Sequence, residues 1–236
     1  MQNDISTASD SIQADPSTQE QQAQAIIDRF LEWATDPRLA VLDTETTGLD
    51  AGDQVIEIGI VDAYGRTLMN QRIKPSVPIM PGAQDIHGIS MADLEGCPTF
   101  DQVWPQLKEI LWTYDVVIYN KEFDLARLCD SMDASMPGWF QGDGKASELL
   151  EAWWALCKRT GCAMQAYAPI HGQWHSYFGS YTWARLSDAC ADQSVDTSDL
   201  KPHHALSDAM ATLRLIHAAA KLNPETLTCI GREDEG

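Results

Sequence analysis

The chain holds no run approaching the roughly 18 consecutive apolar residues of a membrane span, so no transmembrane helix is expected. Positive charge is scarce: 16 Lys and Arg stand against 35 Asp and Glu, for a formal net charge of −19. That deficit argues against a broad nucleic-acid-binding surface, because phosphate contacts come mostly from Lys and Arg. A basic stretch followed by an apolar one is missing near the N-terminus, and no secretory signal is expected. The six cysteines (Cys97, Cys129, Cys157, Cys162, Cys190, Cys229) are scattered rather than clustered. They make no disulfide framework and suit reduced thiols in a cytoplasmic protein. Residues 1–22 lack aromatics and are rich in Gln, Ser, Asp and Ala, which reads as a disordered tail. No internal repeat is apparent. What remains is 44% hydrophobic over 236 residues, enough for a globular core.

Ile26, Ile27, Phe30, Leu31 and Trp33 recur at helical spacing, predicting an amphipathic helix over about 21–35. Packing on the domain is its plain reading; docking to a partner is the sharper one. Strands are expected at about 38–44, 54–62 and 66–73, with turns at Gly48–Gly52 and Tyr64-Gly65. Pro75, Pro78 and Pro81 mark an irregular loop. Helices are expected near 90–95 and 100–112, then a strand at 115–119 and a helix at 121–132. A loop over 133–146 and a helix over 146–159 follow. The aromatic- and glycine-rich segment 162–181 reads as strand and loop, before helices at 182–192 and 205–221. A cluster of strands followed by alternating strands and helices implies an α/β fold, a mixed sheet flanked by helices. The domain is placed at 23–222, and 223–236 reads as an acidic tail ending in Glu233, Asp234 and Glu235.

Three motifs carry the chemistry. In Val41-Leu42-Asp43-Thr44-Glu45 an apolar run ends in two acids at i and i+2, which a strand presents on one face. In Val116-Val117-Ile118-Tyr119-Asn120-Lys121-Glu122-Phe123-Asp124 another apolar strand runs into an acid. His203-His204-Ala205-Leu206-Ser207-Asp208 opens a long amphipathic helix. Taken singly, Asp124 and Asp208 are first-turn acids favoured by the helix dipole. Four acids gathered at one place repel unless cations neutralise them, so the set calls for divalent metal.

The order and context of these motifs resemble the DEDD exonucleases, in the DnaQ-like branch with a histidine in the third motif (DEDDh). That branch includes the proofreading subunit of bacterial replicative polymerases and ribonuclease T. The resemblance runs from about Arg38 to Leu222 and takes in Val55-Ile56-Glu57-Ile58-Gly59 and Ile86-His87-Gly88-Ile89-Ser90. It implies a ribonuclease H-like fold and 3′–5′ hydrolysis of single-stranded DNA or RNA ends to nucleoside 5′-monophosphates. It also implies two Mg²⁺ or Mn²⁺ ions held by Asp43, Glu45, Asp124 and Asp208. Asp43 would bridge both ions, Glu45 and Asp208 would complete the shell of one, and Asp124 would act mostly through water on the other. His203, five residues before Asp208 as the family pattern requires, is the general base; an ordinary imidazole titrates near pH 6.5 and can take a proton at neutral pH. The adjacent His204 does not fit that spacing.

By the same resemblance Thr46 and the Thr-Thr-Gly turn hold the terminal 3′ hydroxyl, Leu49 is an apolar wedge beside the last base, and His87 lies near the terminal nucleotide. Phe123 lines the pocket or packs beneath Asp124. Trp174, Tyr177, Phe178, Tyr181 and Trp183 invite a reading as a base-stacking strip, although such aromatics more often anchor cores or loops. Cys157-x4-Cys162 and His171-x3-His175 have zinc-ligand types, but their spacing is loose and Cys157 falls on the apolar face of a helix. Two other functions remain open: a module that grips nucleic acid or a polymerase without cutting, and an exoribonuclease for short oligoribonucleotides. Thr46-Thr47 stands where the latter has a methionine shortly after its first-motif glutamate. Polymerase association is not indicated, since the chain ends about 28 residues after Asp208. Family members are often dimers, but no interface signature for a homodimer is visible.

Overall fold

Strand β1 (Leu39–Thr46) alternates between two separate apolar cores: Ala40 and Leu42 enter one, Leu39 and Val41 the other. β4 (Asp115–Ile118) does the same, with Val116 and Ile118 on the first side and Val117 on the second. A period of two with apolar residues at both phases requires a sheet covered on both faces. The computed structural model describes residues 16–139 and 145–227. β2 (Val55–Asp62) runs antiparallel to β1, and β3 (Thr67–Arg72) antiparallel to β2. β4 lies parallel to β1 on its other side, and β5 (Gly161–Cys162) parallel to β4. The sheet order is β3-β2-β1-β4-β5, a mixed sheet as the sequence implies.

The Ala40–Leu42 face is covered by α3 (Phe100–Thr113), α4 (Lys121–Ser135) and α5 (Lys145–Arg159) through Trp104, Leu107, Leu128, Met132 and Trp153. The other face is covered by α1 (Pro16–Thr35), α6 (Ala163–His171), α7 (Leu186–Asp192) and α8 (Ala205–Ala219) through Phe30, Tyr167, Ala189, Leu213 and Ile216. A third cluster of Ile56, Ile79, Ile89 and Leu94 seats α2 (Pro81–His87). β6 (Trp174–His175) and β7 (Ser180–Tyr181) form a separate two-stranded ribbon. Among the described residues no helix is long and apolar enough to cross a membrane.

Five stretches differ from the sequence reading. α1 begins at Pro16, inside the stretch read as a tail, while residues 1–15 lie outside the described ones. α2 stands where the prolines suggested an irregular loop; Pro81 occupies its first turn, where a missing N–H costs nothing. Over 163–171 α6 replaces the expected strand and loop, because Ala163-Met164-Gln165-Ala166 is good helix sequence and Pro169 comes only near the end, while β6 and β7 supply the strands over 174–181. Gly172 then takes the left-handed cap, at φ 73°. The helix expected from residue 182 starts at Leu186, after β7. Within the C-terminal stretch read as a tail, Pro224–Thr226 make one 3₁₀ turn, and 228–236 lie outside the described residues.

Candidate active site

β1 delivers Asp43 and Glu45 to the α8 side of the sheet, in phase with Leu39 and Val41. α8 brings Asp208 down in its first turn. One carboxylate oxygen from each of Asp43, Glu45 and Asp208 lies within 4.8 Å of the others. Among the described residues this is the single group of three or more His, Cys, Asp or Glu donors placed so closely. The zinc-like set does not gather: Cys162 is buried with its thiol towards the Tyr119 carbonyl at 3.3 Å, and His171 Nδ1 is 2.9 Å from Asp192 Oδ2.

Asp124 reaches the site from the first turn of α4 and is buried. Its Oδ1 accepts hydrogen bonds from the Thr44 amide (3.1 Å) and hydroxyl (2.7 Å), which hold it between the two β1 acids in sequence. It therefore joins the group through β1 rather than as a fourth member of the 4.8 Å cluster.

The electrostatics are those of negative charges out of water without enough positive charge. Burial, then Asp124, Asp208, Glu45 and Glu57, push the Asp43 carboxyl well above the usual range. Burial, then Asp208, Glu57 and Asp124, push Glu45 up to about 8. Asp124 is raised by burial, which its Thr44 hydrogen bonds oppose. Asp208 is raised by burial and eased by the nearby His203.

This has a consequence for stability in the absence of metal. Glu45 holds a proton in the folded state up to about pH 8 but loses it near 4.5 in the unfolded chain. The native state therefore binds more protons across that window, and stability falls as pH rises through it. Burial lowers the His87 imidazole, whose contribution runs in the opposite direction. Comparison with Glu45→Gln isolates the carboxyl. In EDTA the wild-type melting temperature, measured relative to that variant, should drop between pH 5 and 8, and the gain on adding Mn²⁺ should grow over the same interval. A gap that stays constant or closes with rising pH would contradict the buried-charge picture.

His203 sits just before α8 with left-handed backbone (φ 58°), its side chain exposed. Its amide donates to Asp208 Oδ2 at 3.2 Å, so the backbone of this residue orients that acid. Thr46 is buried, with its hydroxyl donating to the Gly48 carbonyl (2.8 Å), a bond that shapes the turn rather than facing outward. Leu49 is 79% exposed beside that turn. His87 is buried at the end of α2; its Nδ1 accepts from the Ile89 amide (3.0 Å), and the backbone of Thr46 faces it. Phe123 is half-buried beneath the Arg127 guanidinium, 5.6 Å from the ring centroid.

Sequence reasoning gave no role to Glu57, which stands opposite Glu45 in the β1–β2 register and is buried. Its Oε2 accepts from the Ala205 amide (3.0 Å) with His204 Nδ1 at 3.6 Å, and its Oε1 accepts from Arg72 Nε (3.1 Å). Glu57 thus caps the start of α8 and ties the helix bearing Asp208 to the sheet bearing Asp43 and Glu45. Gly59 permits this approach: a Cβ there would lie 2.1 Å from the Leu206 nitrogen. The available signal was an acid in phase with Gly59 within an apolar strand.

Comparison with known proteins bears on the same region. A family model described as "Exonuclease" matches residues 40–134. The uncharacterized exonuclease CP81 of Escherichia phage 186 is 34% identical over 196 residues, covering 83% of this chain and 94% of that one. A DNA polymerase III subunit epsilon of Pasteurella multocida (strain Pm70) is 29% identical over 182 residues, covering 73% of this chain and 64% of that one. Among solved structures, exonuclease X in complex with 5′ overhanging duplex DNA shares the fold at TM-score 0.50 and 22% identity, covering 82% of this chain and 99% of that one.

Proposed function

From the chain's membership of the exonuclease family, we propose that it removes nucleotides from the 3′ ends of single strands, using two divalent ions held at Asp43, Glu45, Asp124 and Asp208. The observation that carries this reading is the Asp43–Glu45–Asp208 cluster, three carboxylates within 4.8 Å that no Lys or Arg among the described residues neutralises. Hard cations such as Mg²⁺ and Mn²⁺ prefer such oxygen donors, and the raised carboxyl groups mark the charge they would offset. When bound, the ions supply positive charge that activates water and stabilises the departing 3′ oxygen.

The chain's own residues do the rest. Asp43, central to the group, would hold the ions together with Glu45, Asp208 and Asp124, the last fixed in place by Thr44. His203 takes the proton of the attacking water, its exposed loop position leaving it free to swing towards the scissile phosphate. Glu57 and Gly59 keep α8 seated so that Asp208 stays in register. Leu49 presses on the terminal base, and the Thr46–Gly48 turn borders the terminal sugar.

Matched DNA and RNA oligonucleotides labelled at either end test the reading. A 3′ label should leave at once as a mononucleotide, and a 5′ label should give a ladder shortening from the far end. EDTA should stop the reaction and added Mn²⁺ restore it. Release from the 5′ end, or cleavage that persists in EDTA, would overturn the proposal.

A further inference from the structure

The longest acid-free stretch of the chain runs from Ala152 to Ser187, in a molecule with 35 Asp and Glu. At its centre is the β6–β7 ribbon. Trp174 and Tyr181 meet edge-to-face across it with centroids 5.1 Å apart, and the Thr182 amide donates to the Gln173 carbonyl at 2.7 Å. The ribbon is thus a formed element. Beyond that pair the aromatics face solvent: Tyr177 is 85% exposed, Phe178 70% and Trp183 64%. Tyr177 and Phe178 stand edge-to-face at 5.0 Å, and the His175 ring lies 4.6 Å from Phe178. Single exposed apolar residues are ordinary, but contiguous aromatic rings held out on a ribbon mark a contact surface.

Its place in the fold is informative. The Tyr119 hydroxyl donates to the Ala184 carbonyl at 2.9 Å. Tyr119 directly follows β4, at the sheet end that leads into α4 and Asp124. The ribbon's exit, next to Trp183, is therefore bonded to the edge where the carboxylates gather.

We propose that this ribbon is a stacking surface for the single strand upstream of the terminal nucleotide, with bases lying on Tyr177, Phe178 and Trp183. Every base has a π-face, so such a surface grips strands regardless of sequence. Charge selects this occupant over a protein: in a chain of net charge −19, the sequence from Ala152 to Ser187 carries no carboxylate to repel a phosphate backbone, while His175 stands on the ribbon and the exposed Arg185 follows it. The inference rests on the exonuclease reading and extends it from the terminal nucleotide to the strand behind.

The test compares wild type with Tyr177→Ser/Phe178→Ser/Trp183→Ser on two substrates: a single strand of about twenty nucleotides, and p-nitrophenyl thymidine 5′-monophosphate, which occupies only the cleavage site. The variant's KM for the strand, and its Kd by fluorescence anisotropy in EDTA, should rise by at least about tenfold. Its kcat on the strand and its turnover of the small ester should stay at the wild-type level. Tyr177→Phe/Trp183→Phe, which keeps the rings, should retain tight binding. If KM and Kd stay within about twofold of wild type, or if the variant alters oligomeric state while Kd is unchanged, the proposal is wrong. A length series with wild type decides it without any variant: KM must fall as strands lengthen from about three to twenty nucleotides, and a flat series overturns it. Failure of the exonuclease reading looks different, since wild type would then cut neither substrate while the anisotropy comparison would still report on the ribbon.

Discussion

Exchanging Asp43 for Asn stops nucleotide release, with turnover lowered by at least about 10³-fold, while the metal-free protein becomes harder to melt at pH 8. Both effects follow from one side chain. Asp43 pairs in register with Gly59 at the middle of the site and feels four other carboxylates, with Asp124 and Asp208 the strongest. Removing its charge takes away a ligand of the proposed ions. A loss of several kcal/mol of electrostatic stabilisation, at about 1.36 kcal/mol per decade, gives the stated drop. The amide is nearly isosteric, so packing around β1 is preserved. Without metal, the same change removes a carboxyl whose charged form is disfavoured by burial and by Asp124, Asp208, Glu45 and Glu57. Turnover assays with Mn²⁺ and melting curves in EDTA measure the two effects. Normal turnover would show that the acids of β1 are not the metal site; a lower melting temperature would show that Asp43 is held by favourable contacts rather than strained by like charge.

That prediction could be framed from the sequence because its parts are local. Leu39 to Leu42 alternate with period two and run straight into Asp43 and Glu45, so strand, face and acid pair are visible together. Asp208 likewise sits in the first turn of a plainly amphipathic helix. The parts that were not legible depend on contacts distant in the chain. Glu57 reads as one polar residue in an apolar strand until α8, some 148 positions along the chain, places the Ala205 amide on it. His87 reads as a substrate contact, and only the seating of α2 against Ile56, Ile79, Ile89 and Leu94 reveals that it is buried. α6 was masked because aromatic and glycine content near 162–181 outweighed the helix-forming run at its start. What seats it is packing of Tyr167 in the core shared with α7 and α8, which composition does not encode. The ribbon that follows contributed aromatics to the sequence but no indication of which ones face water.

His203→Asn is the second large effect: kcat should fall by about 10²–10⁴-fold, the usual contribution of a general base, with metal affinity unchanged. The substitution is chosen on the backbone. Residue 203 has φ 58°, and Asn accepts the left-handed region more readily than most residues. The contact that matters for Asp208 comes from the amide of residue 203, at 3.2 Å, and Asn retains that donor. The imidazole alone is thereby removed. His204 cannot replace it, because its ring lies 3.6 Å from Glu57 in the cap of α8 and is half-buried there. Mn²⁺ titrations of melting temperature in the two proteins should superimpose, while single-turnover rates on a labelled strand diverge. If the titrations separate instead, His203 acts on the metals through Asp208 or as a ligand itself.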